Sequence, residues 1–187
     1  SKEKNLRIRY RTSTDEPSVS QLQNVVDNAN PLFLKSGNPN LKQEYSHDIS
    51  FRYNYTNAVK ATSLFLLFNT DFTQNYIANA TIMPSTDSTV VNGIILNRGT
   101  QLTMPVNLDG YLVSRSFFTN AFPVTFIKSN LNLNTGFTYN RTPALINNQN
   151  NLANNYNLSQ GLVIGSNISE NIDFNLSYTA NYSIVKN

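Results

Sequence analysis

Apolar and polar residues alternate along this chain for a dozen residues at a stretch. No other feature limits the fold so strongly, because only an extended strand with two unlike faces imposes a period of 2. In one run, Tyr45, His47, Ile49, Phe51, Tyr53 and Tyr55 take one parity, while Ser46, Asp48, Ser50, Arg52, Asn54 and Thr56 take the other. From Ile172 to Ile184, Phe174, Leu176, Tyr178, Ala180 and Tyr182 alternate with Asp173, Asn175, Ser177, Thr179, Asn181 and Ser183. Leu131, Leu133, Phe137 and Tyr139 oppose Asn130, Asn132, Asn134, Thr138 and Asn140, and Leu6, Ile8 and Tyr10 oppose Arg7, Arg9 and Arg11.

Three further runs are less regular. Between Ala61 and Tyr76, Leu64, Leu66, Phe68, Phe72 and Tyr76 share a parity, but Phe65 and Leu67 blur its start. A run opens at Leu102 and loses a clear parity beyond Val113, and another extends from Tyr156 to Ile168. The alternation therefore predicts seven strands, mostly longer than the roughly 5–6 residues usual in globular proteins.

The connections alternate as well. Tight turns are expected at Asn57–Lys60, Ala121–Phe126 and Ser169–Asn171, and long loops at Thr12–Asn40, Ile77–Gly99 and Thr142–Asn155. Every long loop then falls at one end of the sheet. Within the first, Ser18 can cap a short helical turn through Leu22, and Pro31, Gly37 and Pro39 enforce turns. Within the second, Val90, Val91, Ile94, Ile95 and Leu96 around Asn92 and Gly93 suggest a small hairpin.

Composition decides what lies on the two faces. Charged residues make up only 13% of the chain, whereas Asn, Ser and Thr number 31, 18 and 17. A soluble sheet more often shows Lys and Glu on its wet side; here the polar parity is mostly neutral. The 40% hydrophobic content, with 10 Tyr and 11 Phe, excludes a disordered chain. No apolar stretch approaches the roughly 18 residues of a transmembrane helix. The absence of Cys removes disulfide scaffolds and thiol chemistry, one His cannot build a histidine metal cluster, and a net charge of +3 is weak support for nucleic-acid binding.

Long alternating strands, with short turns at one end and long loops at the other, are the pattern of an outer-membrane β-barrel. In hydrocarbon each backbone N–H and C=O must find a partner, which a closed sheet provides, and the outward face must be apolar. The expected fold is all-β, an antiparallel up-and-down meander of about seven long strands forming part of a transmembrane β-barrel. Tyr45, Tyr55, Tyr139, Tyr156 and Tyr182 suit the interfacial girdles. A soluble β-sandwich or β-helix with one buried face is the alternative.

The residues also carry a resemblance. Tyr10-Arg11-Thr12, Pro17-Ser18-Val19-Ser20-Gln21-Leu22, Asn30-Pro31-Leu32 and Gly37-Asn38-Pro39-Asn40-Leu41-Lys42-Gln43-Glu44 occur in an order similar to the barrel of TonB-dependent outer-membrane receptors of the Bacteroidetes type. Asn107-Leu108-Asp109-Gly110-Tyr111 and Lys128-Ser129-Asn130-Leu131-Asn132 fit the following strands. The resemblance implies a bacterial outer-membrane location and active import of a siderophore, cobalamin, glycan or peptide, energised through an inner-membrane TonB complex. Such barrels have roughly 22 strands around a plug. Seven strands, no recognisable plug or TonB-contacting segment and an ending at Ile184-Val185-Lys186-Asn187 lead to the expectation that residues 1–187 are one barrel segment, an internal fragment of a larger receptor. Expected partners are outer-membrane lipid, the plug domain and TonB complex, and a small-molecule or glycan substrate, with no nucleic acid. A small outer-membrane adhesin or a secreted glycan-binding β-domain is the other functional class.

Catalytic signals are sparse. His47 and Asp48 are neighbours in a strand and point to opposite faces, so they form no dyad, and no paired-acid spacing, phosphate loop or nucleophile elbow appears. The chain is expected to be no enzyme and to need no cofactor or metal. Arg7, Arg9 and Arg11, with Arg52, are the lumen-facing candidates, and Arg115 joins them if its parity agrees. Pairing with plug carboxylates is the favoured role over ligand contact. Gln74, Asn75 and Tyr76, at the mouth of the third strand, are the extracellular ligand candidates, followed by the Asn147–Asn155 run.

Overall fold

The computed structural model describes residues 2–86, 89–91, 93–169 and 172–186. In chain order its elements are β1 (Lys2–Asp15), α1 (Val19–Leu22), β2 (Val26–Asp27), β3 (Phe33–Ser36), β4 (Glu44–Asn57), β5 (Thr62–Gln74) and β6 (Tyr76–Ile82). There follow β7 (Thr89–Val91), β8 (Ile94–Leu96), β9 (Gln101–Leu108), β10 (Tyr111–Val124), a 3₁₀ turn at Thr125–Ile127, β11 (Ser129–Ile146), β12 (Gln149–Ser169) and β13 (Ile172–Lys186).

The protein is all-β and its main sheet is an antiparallel meander. The long strands β1, β4, β5, β10, β11, β12 and β13 pair in that order, each with the next. One ladder row, Ile8, Phe51, Phe68, Ser116, Phe137, Leu158 and Tyr182, crosses all of them. The next row, Arg7, Arg52, Leu67, Phe117, Gly136, Ser159 and Asn181, belongs to the opposite face. The apolar face is uncovered: Ile8 is 68% exposed, Leu158 44% and Tyr182 61%. So large a bare apolar surface needs lipid rather than water beside it. Tyr45 and Tyr55 stand ten steps apart on β4; at about 3.4 Å per step and a tilt of about 45°, they span about 24 Å of depth, close to the ~25 Å apolar band of such barrels. Among the described residues β1 pairs only with β4, and β13 only with β12, so the sheet is open.

The long-loop end departs from the expectation in three places. First, the third expected strand and the one after it continue past the wall as a single hairpin. Thr73 pairs with Tyr111, and Tyr76 with Leu108, so the ladder resumes beyond the break with no residue gained or lost. Asn75 (φ 53°) and Gly110 (φ 106°) supply the left-handed turns of the break. Second, the long loop expected at Thr142–Asn155 is not one. β11 and β12 run up to a two-residue turn in which Asn147 and Asn148 both have positive φ, a type I′ geometry that Asn tolerates. Third, the other two long loops contribute a loop sheet of short strands that extends the same 11-stranded sheet. β6 pairs with β9, β9 runs parallel to β3, β3 pairs with β2, and the tip of β11 runs parallel to β6.

That loop sheet holds the one core cluster of buried apolar side chains among the described residues: Ala80, Leu96, Leu102 and Met104, with Leu34, Ile82, Ile94, Val106 and Leu145 packed against it. Ser18 caps α1 as expected, in a reciprocal capping box with Gln21. Gly37 approaches the backbone so closely that a Cβ would sit 2.2 Å from the Gln23 carbonyl oxygen. The expected hairpin around Gly93 is present as β7 and β8, although Asn92 lies outside the described residues. At the short-turn end, 58–61 and 125–128 are tight, and residues 170 and 171 of the turn expected at Ser169–Asn171 lie outside the described residues.

Candidate functional site

The polar face of the wall divides into two zones. On β1, β4, β5 and β10 it carries Arg7, Arg9, Arg11, Arg52 and Arg115 together with Glu3, Asp15, Glu44, Asp48 and Asp71, so Arg115 shares the face of the arginines foreseen from sequence. On β11, β12 and β13 the same face is Asn, Ser, Thr and Gly through most of its height. Arg7 lies directly opposite Arg52, and Arg11 opposite Asp48, which in turn faces Asp71. Like charges placed opposite each other disfavour pairing unless water or counter-charges attend them. Arg9, Arg11, Asp48, Asp71 and Arg115 border a recess of about 160 Å³. Within it the Asp48 Oδ1 is buried with no hydrogen-bond partner, while Asp71 accepts from the Thr73 hydroxyl at 3.4 Å.

At mid-depth the polar face is interrupted. Leu67 and Phe117 pair across β5 and β10, and the Phe65 ring lies 6.2 Å from that of Phe117. The Arg52 guanidinium sits 5.9 Å from the centroid of Phe65. A trough of about 490 Å³ crosses the wall here, floored by Leu67, Phe117 and Gly136 and bordered by Asn69, Asn157 and Asn181. Sequence reasoning missed this feature as a site. Its signal was present, since Phe65 and Leu67 are the residues that spoil the alternation of their strand.

The mouth candidates separate. Asn75 is occupied on both backbone sides: its N–H donates to Asp109 Oδ1 at 2.9 Å and its carbonyl accepts from Asn107 Nδ2 at 2.6 Å. Gln74 keeps the parity of the apolar face, opposite Tyr45, beside a recess of about 520 Å³ that Arg141 also borders. Arg141 is held there by donation from Nε to the Gly110 carbonyl at 2.7 Å. Tyr76 does not keep the parity assigned to it. The left-handed turn at Asn75 swings its ring against Tyr111, with centroids 4.2 Å apart, on the side of the polar-face residue Thr73. Burial, then Tyr111 and Glu44, push the Tyr76 phenol above its ordinary 10.0. Glu44 also accepts the Ile77 backbone N–H, tying the wall to the outer hairpin.

His47 faces outward, away from Asp48. Its Nδ1 meets the Tyr10 hydroxyl at 2.7 Å, and its ring stacks on Phe72 at 4.2 Å and meets the edge of Tyr45 at 4.7 Å. Tyr139 and Tyr156 stack at 4.9 Å on the same outward face. No group of three or more acidic, His or Cys side chains able to hold a metal ion occurs among the described residues.

The sequence model of the outer membrane protein beta-barrel family matches residues 1–187. No curated protein and no solved structure matches the chain.

Proposed function

Because the chain belongs to the outer membrane protein beta-barrel family, and so resides in the bacterial outer membrane, we propose that it forms wall of a TonB-dependent receptor that imports a nutrient. The carrying observation is a wide wet face on a wall that stays open at β1 and β13. With seven wall strands alternating in direction, β1 and β13 run the same way, so joining them would put a parallel seam in an otherwise antiparallel wall. Barrels of about eight strands have interiors just filled by side chains. Here the inner face instead carries long arginines and an open trough, which suits a larger barrel completed by further antiparallel strands.

In this reading the apolar face meets lipid, and the arginines of the charged zone on β1, β4, β5 and β10 face the carboxylates of a plug. The neutral zone on β11, β12 and β13 borders the path of a small-molecule or glycan substrate. The TonB complex supplies the energy, the chain itself is a conduit rather than an enzyme, and no nucleic acid is involved. The test is uptake of labelled nutrients by cells with and without the gene, in the presence and absence of a protonophore. Loss of one uptake activity on deletion, with the same loss on de-energising, is expected. Uptake of every nutrient unchanged by deletion would defeat the proposal.

A further inference from the structure

We propose that the mid-depth trough over Leu67, Phe117 and Gly136 is a subsite for an uncharged sugar ring. The inference rests on the import reading and narrows it to a substrate class. Its starting point is an anomaly. On a face dominated by Asn, Ser, Thr, Arg and Asp, Phe117 is 41% exposed, pairs with another apolar residue, Leu67, and lies beside Phe65. Apolar surface left in a wet lumen is unfavourable unless something covers it.

Gly136 keeps that surface open. It lies directly opposite Phe117, and a Cβ added there would stand 3.8 Å from the Phe117 ring and 2.5 Å from the Ser159 hydroxyl. With no side chain at this point, the ring can take a flat partner. Around it stand carboxamides: Asn69 beside Leu67, and Asn157 and Asn181 across the trough. Asn157 accepts from the Ser183 hydroxyl and keeps its amide donors free, while Asn69 and Asn181 have no side-chain hydrogen bond among the described residues.

An apolar floor edged by groups that both donate and accept matches a pyranose, whose C–H face is apolar and whose edge is hydroxylated. The lining of the trough contains no carboxylate, and Arg115 is its one charged group. A cationic ligand would be repelled there. A purely apolar ligand would leave the amides dry and unpaired, at a cost in affinity. Its volume of about 490 Å³ lies within the roughly 300–1,000 Å³ of small-molecule sites.

Phe117→Trp places a reporter in the trough while keeping an aromatic platform, and the parental receptor supplies the background of any other Trp. The full receptor carrying it, in detergent, is titrated with neutral hexaoses (malto-, cello-, xylo- and manno-) and, separately, with acidic and basic peptides, each read against the parental protein. Saturable movement of the emission by a hexaose is expected. Phe117→Ala, on an exposed side chain, should weaken that sugar's binding roughly tenfold, the scale of losing an aromatic platform. Emission that moves with none of the sugars, or with peptides alone, overturns the proposal, as does Phe117→Ala binding like the parent. Energised uptake of a non-sugar with a silent Trp would sink the subsite and leave the import reading standing. A sugar-responsive Trp in a protein whose loss changes no uptake would do the reverse.

Discussion

Asn75 and Asp109 face each other where the outer hairpin leaves the wall, and the Asp109 carboxylate accepts the Asn75 N–H that the broken ladder leaves over. Asp109→Ala removes that acceptor and is expected to cost about 1–2 kcal/mol, the scale of an unsatisfied backbone donor. Asp109→Asn keeps a carbonyl oxygen there and should stay near the parent. Amide exchange along β6 is the readout: faster exchange in Asp109→Ala alone is the expected result, and equal protection in all three proteins would refute it.

Tyr76 sets a pH dependence of the same hinge. Burial, Tyr111 and Glu44 all disfavour its phenolate. The folded state therefore holds the phenolic proton more tightly than the unfolded state, so the stabilisation is complete below about pH 10 and is lost as pH rises through the raised value. Spectrophotometric titration of the folded protein should show one tyrosine ionising after the exposed ones, and Tyr76→Phe should delete that late step. The stability gap between parent and Tyr76→Phe should drift against the parent above pH 10. A titration unchanged by the substitution would contradict the assignment.

The same hinge marks where the sequence stopped being readable. Alternation is a local signal, and it placed the seven long strands because each face meets one solvent along its whole height. It failed at Tyr76, where one left-handed residue at Asn75 reverses the faces without disturbing composition. The Asn147–Asn148 turn was hidden inside a polar run that reads as loop, although two Asn in succession are a type I′ signal. The loop sheet was illegible for a different reason. β3 with β9, and β6 with β11, are parallel pairings of three and two residue pairs between distant segments, and nothing local specifies them. That the arginines on β1 share one face was legible from parity alone, whereas the trough needed the pairing of Leu67 with Phe117 across 50 residues of sequence.

His47 and Tyr10 permit a test of what the outward aromatic cluster contributes. The Tyr10 hydroxyl is bonded to Nδ1, and Nε2 is buried with no partner. Tyr10→Phe alone leaves the ring with two unpartnered nitrogens and should cost about 1–2 kcal/mol. His47→Phe alone strands the Tyr10 hydroxyl in turn on the lipid side and should cost a similar amount. The double substitution replaces both polar groups with similar shapes, so it should be less destabilising than the two single losses combined. A double-mutant cycle in denaturant checks this, and strict additivity would mean that the hydrogen bond contributes nothing.

Leu158 and Asn157 are adjacent on β12 and decide which face of the wall meets lipid. Leu158 lies in the ladder row at mid-depth, between Phe137 and Tyr182, with no protein over it. Asn157 faces the other way, between Thr138 and Ser183. An arginine at the bilayer midplane on the lipid side of a barrel costs about 2–4 kcal/mol, whereas a lumen-side guanidinium stays hydrated. Leu158→Arg should therefore lose about that much in reversible urea unfolding from lipid vesicles. Asn157→Arg should lose under about 1 kcal/mol, chiefly through its bond to Ser183. The two residues share a strand, a depth and a substitution, so propensity and membrane position cancel in the comparison and only the facing differs. A larger loss at Asn157 than at Leu158 would turn the wall inside out, and with it the assignment of the arginines and the trough to the lumen.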